Sequence, residues 1–120
     1  MIKSILITGG AGFIGSHLAE RIFFEFKNSK IILYDKITYA ANKKYLKNII
    51  KKKNVKFVKG DLLNFRKLET NLKNVDLAIN VAAESHVDNS FGNSLIFTKT
   101  NTLGTHYFLE ACRKQKVKKI

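Results

Sequence analysis

The sequence predicts an α/β fold, a parallel sheet with helices on both faces, and three observations carry that prediction. Short apolar runs rich in Ile, Leu and Val recur along the chain. Stretches with an apolar residue at every third or fourth position lie between them. A glycine-rich turn joins the first run to the first of those stretches. Alternation of this kind requires parallel strands, because each helical crossover returns the chain to the same end of the sheet.

Each element has its own signal. Residues 2–8 form the first apolar run. Ile14, Leu18, Ile22 and Phe26 follow at every fourth position and make one helical stripe. Residues 30–34 read as the second strand. Tyr45, Leu46, Ile49 and Ile50 predict a short helix, and the lysines after it suit its negative end. Residues 55–58 are the third strand, followed by a stripe of Phe65, Leu68 and Leu72. Residues 75–81 are the fourth strand. A long last helix is expected over residues 94–115, with Ile96, Leu103, Tyr107 and Ala111 facing inward. Residues 117–120 begin a fifth strand. Right-handed crossovers leave few topologies, and the order expected is 3-2-1-4-(5), a Rossmann-type sheet.

Such a sheet is built from two mononucleotide-binding halves. Here the second half holds one strand, one helix and the start of another strand. Residues 1–120 are therefore read as one truncated domain, the N-terminal part of a larger enzyme. The unfinished sheet edge predicts marginal stability.

Composition narrows the function. The net charge is +13, from 22 Lys and Arg against 9 Asp and Glu. A nucleic-acid partner would explain it, but the lysines are scattered and Arg occurs only at positions 21, 66 and 113. Arginine is the better residue for base and phosphate recognition, so no nucleic-acid partner is expected. No apolar run approaches the ~20 residues a membrane span needs, and no membrane role is expected. The first strand begins almost at Met1, so no signal peptide is expected. The lone Cys112 cannot close an internal disulfide; both features suit the cytoplasm.

The first strand runs into Thr8-Gly-Gly-Ala-Gly-Phe-Ile-Gly15. Gly9, Gly12 and Gly15 follow a GxxGxxG spacing, one residue longer in the first gap than GxGxxG. In the dinucleotide fingerprint the first glycine allows the sharp turn. The second lets the backbone approach the pyrophosphate, and the third lets the helix pack close to the sheet. Phe13 and Ile14 then present amides at the helix N-terminus, where free N–H groups and the dipole attract phosphate. The competing reading is a structural glycine turn with no ligand. Asp35 ends the second strand twenty residues after Gly15, where the fingerprint wants an acid for the adenosine ribose. A carboxylate there repels a 2′-phosphate and favours NAD over NADP. Lys36 beside it works against that preference. Asp61, in Gly60-Asp61-Leu62 after the third strand, is placed to accept from the adenine amine; a turn or helix cap is its other reading. Small residues after the fourth strand, Val81, Ala82 and Ala83, let a cofactor lie against the backbone. Ser85 and His86 are adjacent and on a strand would point opposite ways, which argues against a nucleophile pair. Metal binding by His86 with Glu84 or Asp88 is not expected.

Several segments together resemble one family. They are the glycine loop, Asp35-Lys-Ile-Thr-Tyr-Ala40, Gly60-Asp61, Ala82-Ala-Glu-Ser-His-Val-Asp88, and Thr100-Asn101 with Gly104-Thr105. In order and spacing the chain is similar to the beginning of the dTDP-glucose 4,6-dehydratases, extended short-chain dehydrogenase/reductases of the NAD-dependent epimerase/dehydratase group. Ala41, Asn89 and the absence of proline after Phe91 depart from the family pattern. The resemblance implies NAD as cofactor and a nucleotide-sugar substrate, dTDP-glucose, which is converted to dTDP-4-keto-6-deoxyglucose and water. It implies that Phe13 and Ile14 touch the pyrophosphate, and that Asp35, Lys36, Ile37 and Thr38 hold the adenosine ribose side. It implies that Asp61 and Leu62 flank the adenine and that Val81, Ala82, Ala83, Glu84 and Ser85 line the nicotinamide side. Ser85 also reaches the substrate, and Thr100 approaches the cofactor. A homodimer is implied for the full-length enzyme.

The family's catalytic Thr-Asp-Glu and Tyr-x-x-x-Lys are not found before Ile120, so the chain alone is expected to lack dehydratase activity. Tyr39-Ala-Ala-Asn-Lys43 matches the second motif by letter only, because it follows Asp35 at the adenosine end. An epimerase or decarboxylase acting on UDP-sugars and a non-catalytic NAD-binding module are the alternative readings.

Overall fold

The computed structural model describes residues 1–38 and 41–120. Tyr39, which begins the letter match to Tyr-x-x-x-Lys, lies outside the described residues, as does Ala40. Four parallel strands, β1 (Ser4–Thr8), β2 (Lys30–Asp35), β3 (Val55–Lys59) and β4 (Leu77–Asn80), form one sheet in the order β3-β2-β1-β4. Lys119 bridges Leu77 in parallel on the free side of β4. That is the place and direction expected of a fifth strand.

Side chains alternate across the sheet. Ile5, Ile7, Ile31 and Leu33 go to one core and Leu6, Ile32 and Tyr34 to the other. The first core is closed by helix α1 (Phe13–Glu25) and by Leu46 and Ile49, the second by α2 (Phe65–Leu72) and α5 (Gly104–Lys114). Strands buried on both faces explain the unbroken apolar runs. Cys112 is fully buried in the second core, where burial pushes its thiol up to about 11 and leaves it protonated.

Three local expectations need correction. The segment after β2 is a single 3-10 helix, Lys43–Leu46, followed by turns, and not an α-helix. Asn42 caps it by accepting from the Lys44 N–H at 2.9 Å. Leu46 and Ile49 still bury completely, while Tyr45 stays exposed. In α1 the inward face is Gly15, Ser16, Ala19 and Ile22. Ile14 is 70% exposed and Phe26 only partly buried, so the every-fourth stripe was displaced by the small residues that allow close packing. The last helix is continuous but changes pitch. Asn93, whose backbone is not helical, separates a short α3 (Val87–Gly92) from α4 (Ser94–Phe97), which runs on into a π-turn (Thr98–Leu103) and then α5. Gly104, Phe108, Ala111 and Cys112 are buried, whereas Leu103 is exposed and Tyr107 half-buried. The wide turn rotates the inward face by one residue, about 100°.

Asp76 ties the start of β1 to the chain end. Its Oδ2 accepts from the N–H groups of Lys3 at 2.9 Å and Ser4 at 3.2 Å, and Lys118 Nζ donates to Oδ1 at 3.1 Å. The Lys3 N–H and Lys118 hold its carboxyl below the ordinary 3.8. A lowered native pKa stabilises the fold above that value and loses the stabilisation as pH falls through the native one. Asp76→Asn is therefore expected to lower the urea midpoint at pH 7 and to match the parent once the parent carboxyl is protonated. Urea titrations of both proteins from pH 7 to pH 2 check this, and a gap that persists at the acid end refutes it.

Candidate functional site: a cleft at the strand carboxyl ends

The carboxyl ends of all four strands open into one cleft of about 460 Å3. It sits where the strand order reverses, between β1 and β4. In open α/β sheets the strand-to-helix loops splay apart there and leave a crevice.

The glycine loop forms its floor. Gly9 has φ +66°, a conformation that L side chains rarely adopt, and its N–H donates to the Tyr34 carbonyl at 2.8 Å. A Cβ on Gly9 would stand 2.7 Å from the Ala82 nitrogen. Thr8, fully buried, fastens the loop to the end of β4. Its hydroxyl donates to Asn80 Oδ1 at 2.5 Å and accepts from the N–H groups of Val81 and Ala82 at 3.1 and 3.2 Å. Gly15 packs on the loop itself: a Cβ there would lie 2.0 Å from the Gly9 carbonyl oxygen. The third glycine thus serves helix-to-loop contact more than the helix-to-sheet contact expected.

Gly12 is the N-cap of α1, in extended backbone and with no side chain capping the helix. The first turn carries no acid. Helices leave their first N–H groups without intrahelical partners, so this end faces the cleft as a positive pole. Phe13 and Ile14 both line the cleft and are 67% and 70% exposed.

Asp35 is almost fully buried at the tip of β2. Its Oδ2 accepts from the Ala11 N–H at 2.8 Å and its Oδ1 from the Ile37 N–H at 2.7 Å. The carboxylate therefore braces the glycine loop as well as facing the cleft. Lys36 and Thr38 line the cleft, but Ile37 does not. Ile37 takes φ 59°, and its side chain packs toward the α1-side core. That left-handed backbone, beyond the end of β2, turns it away from its neighbours.

At the far rim Asp61 and Leu62 line the cleft. Asp61 Oδ1 accepts from the Leu63 N–H at 2.9 Å, and Lys36 Nζ lies 2.9 Å from Oδ2. Tyr34 places this segment: its hydroxyl donates to the Asp61 carbonyl at 2.9 Å. Burial, followed by the Asp61 charge, pushes the Tyr34 hydroxyl up to about 12, so it stays a donor.

The opposite wall is Val81, Ala82, Ala83, Glu84, Ser85 and His86, with Thr100 from the π-turn. β4 ends at Asn80, so Ser85 and His86 are not on a strand and both face the cleft, contrary to the opposed arrangement expected. Asn101 clamps this wall: its Oδ1 accepts from the Glu84 N–H at 2.8 Å and its Nδ2 donates to the Glu84 carbonyl at 2.9 Å. Among the described residues no group of three His, Cys, Asp or Glu is placed to hold a metal, and no helix is long and apolar enough to cross a membrane.

The cleft thus gathers every predicted cofactor residue except Ile37 and adds Tyr34, Ala41, Gly60 and His86. Tyr34 and Gly60 flank predicted positions, and Tyr34 reads from sequence as a core residue of a strand.

The comparisons agree with this geometry. The family model for GDP-mannose 4,6 dehydratase matches residues 6–120. The chain belongs to that family. It is 52% identical to a dTDP-D-glucose 4,6-dehydratase of Dictyostelium discoideum, over 98% of this chain and 28% of that protein. It is 47% identical to a trifunctional UDP-glucose 4,6-dehydratase/3,5-epimerase/reductase of Arabidopsis thaliana, over 92% of this chain and 17% of that one. The structure resembles DesIV, a dTDP-glucose 4,6-dehydratase of Streptomyces venezuelae crystallised with NAD, with a TM-score of 0.89 and 36% identity. That likeness covers 96% of this chain and 37% of DesIV. The chain spans 28% of the Dictyostelium protein, 17% of the Arabidopsis protein and 37% of DesIV.

Proposed function

We propose that this family member binds NAD in the cleft and supplies the cofactor-holding part of a nucleotide-sugar 4,6-dehydratase, a lyase acting on dTDP-glucose in deoxysugar biosynthesis. One observation carries the reading. An uncapped, acid-free helix N-terminus, a glycine loop and a strand-tip carboxylate converge on one crevice at the switch point of the sheet. Each part has its own partner on a dinucleotide. The amides of Phe13 and Ile14 meet the pyrophosphate. Asp35 retains acceptor capacity for the ribose hydroxyls, and Thr38 stands beside it. Leu62 offers an apolar surface to the adenine. Val81, Ala82 and Ala83 leave room for the nicotinamide, and Ser85 is positioned for a hydroxyl of the sugar. Bound NAD supplies the hydride acceptor. The residues of this chain hold and orient it, and Asn101 keeps the wall that flanks the ring in place.

The Arabidopsis likeness favours a UDP-sugar as a second reading of the substrate. A second copy of the full-length enzyme is the proposed protein partner: Leu95 and Leu103 are exposed apolar residues on the last helix that such a copy would cover. The cytoplasm is the proposed compartment, since NAD and activated sugars meet there.

Gly12→Ala tests the cofactor reading. A Cβ at this position would stand 3.3 Å from the Gly9 carbonyl oxygen, a tight contact relieved by a shift of a few tenths of an ångström, and it stands where a phosphate must approach. NAD affinity by titration calorimetry is expected to fall about tenfold or more, the worth of one charge-assisted hydrogen bond, with a stability loss of no more than about 1 kcal/mol, since glycine is the better N-cap residue. Unaltered NAD affinity in this variant contradicts the proposed phosphate cradle.

A further inference from the structure

We infer that the Lys36–Asp61 ion pair is a selectivity device: Asp61 occupies the lysine next to the ribose-binding acid and so denies it to a 2′-phosphate. The inference rests on the NAD reading above and deepens it. Taken alone, the sequence is ambivalent at this point. Asp35 repels a 2′-phosphate, while the next residue is a lysine, and a basic residue near that acid is what accommodates the phosphate of NADP.

The geometry resolves the conflict. Lys36 Nζ lies 2.9 Å from Asp61 Oδ2, and both residues line the cleft at its adenosine end. Asp61 is set in place independently of the lysine. Its carbonyl accepts from the Tyr34 hydroxyl, and its Oδ1 accepts from the Leu63 N–H. Burial alone would raise its carboxyl, but the Leu63 N–H and Lys36 outweigh that and hold it below the ordinary value. It is a full anion at neutral pH, so Lys36 meets a fixed counter-charge. Lys36 is also half exposed, and a ligand approaching the ribose site can reach it. Such a pair contributes little to stability. Its consequence is for recognition. A 2′-phosphate would have to take Lys36 from Asp61 while lying close to two carboxylates, Asp35 and Asp61. A cofactor with a free 2′-hydroxyl meets neither demand.

The test measures the NAD and NADP affinities of the chain and of Asp61→Asn, Lys36→Gln and the double variant by titration calorimetry. The readout is the ratio of the two affinities. NAD and NADP share the adenine, so a lost adenine contact cancels in the ratio, and NAD binding itself reports that each variant has folded. Asn at position 61 keeps the acceptor for the Leu63 N–H and removes the charge. Asp61→Asn is expected to shift the ratio toward NADP by about five- to tenfold, one freed phosphate contact. Adding Lys36→Gln is expected to abolish that gain, and Lys36→Gln alone to shift the ratio away from NADP. An unchanged ratio in Asp61→Asn, or a gain that survives in the double variant, overturns the inference while leaving NAD binding standing. Binding of neither nucleotide by the unaltered chain overturns the cofactor reading and this inference together.

Discussion

Gly15→Ala is expected to unfold the cleft end of this protein. Gly→Ala inside a helix ordinarily stabilises by up to about 1 kcal/mol, because alanine is the better helix former. Here the sign reverses. The added Cβ would sit 2.0 Å from the Gly9 carbonyl oxygen and 2.8 Å from its carbon. Neither partner is a side chain that can rotate away. Gly9 is held by its hydrogen bond to Tyr34 and by the close approach of Ala82. Relief requires α1 to lift off the loop, which opens the core around Ala19 and Ile22. The expected net cost is about 3 kcal/mol, the upper end of overpacking. NAD binding is expected to be lost with it. Urea titration followed by circular dichroism checks the first expectation and calorimetry the second. A midpoint equal to or above that of the parent shows that the helix does not rest on the loop in this way. Gly12→Ala is the matched control for stability, since its Cβ would stand 3.3 Å from the same oxygen and not 2.0 Å.

Removal of the Asp35 carboxylate comes next in expected size. Asp35→Ala strands two donors at once, the buried Ala11 N–H and the part-buried Ile37 N–H. An unsatisfied buried donor costs about 1–3 kcal/mol, so a loss of about 2–4 kcal/mol is expected. Ile37 adds to it, because its positive φ is held by that hydrogen bond. Asp35→Asn separates the two roles. It keeps one acceptor but turns an amide donor toward the other N–H, and it removes the charge that faces the cleft. It is expected to recover about half of the stability and to bind NAD more weakly than the parent. Denaturation midpoints of both variants decide the order. If alanine is as stable as asparagine at this position, the carboxylate does not brace the loop.

Much of this was legible in the residue order because it depends on near neighbours. The strand, the glycine spacing and the helix of residues 4–25 are one continuous local signal, and Asp35 follows from the length of one crossover. Other features were not legible. The buried face of α1 shifted because Gly15, Ser16 and Ala19, weak in any hydrophobic pattern, permit the closest packing. The inward face of the last helix moved by one residue at a π-turn, which carries no compositional mark. Ile37 looked like its neighbours and turned away from them.

The linear order of residues, with its apolar runs, its glycine intervals and a carboxylate at a strand tip, was enough to declare a parallel α/β sheet with a glycine turn opening on its cleft. Those signals arise from contacts between residues a few positions apart, and backbone sterics impose them in any context. Folding alone decided that Lys36 faces Asp61, that Thr8 secures the end of β4, and that Asn101 clamps Glu84. Each of these joins different segments of the chain. Such pairings depend on strand order and helix pitch, which bring together side chains whose sequence separation says nothing of their distance.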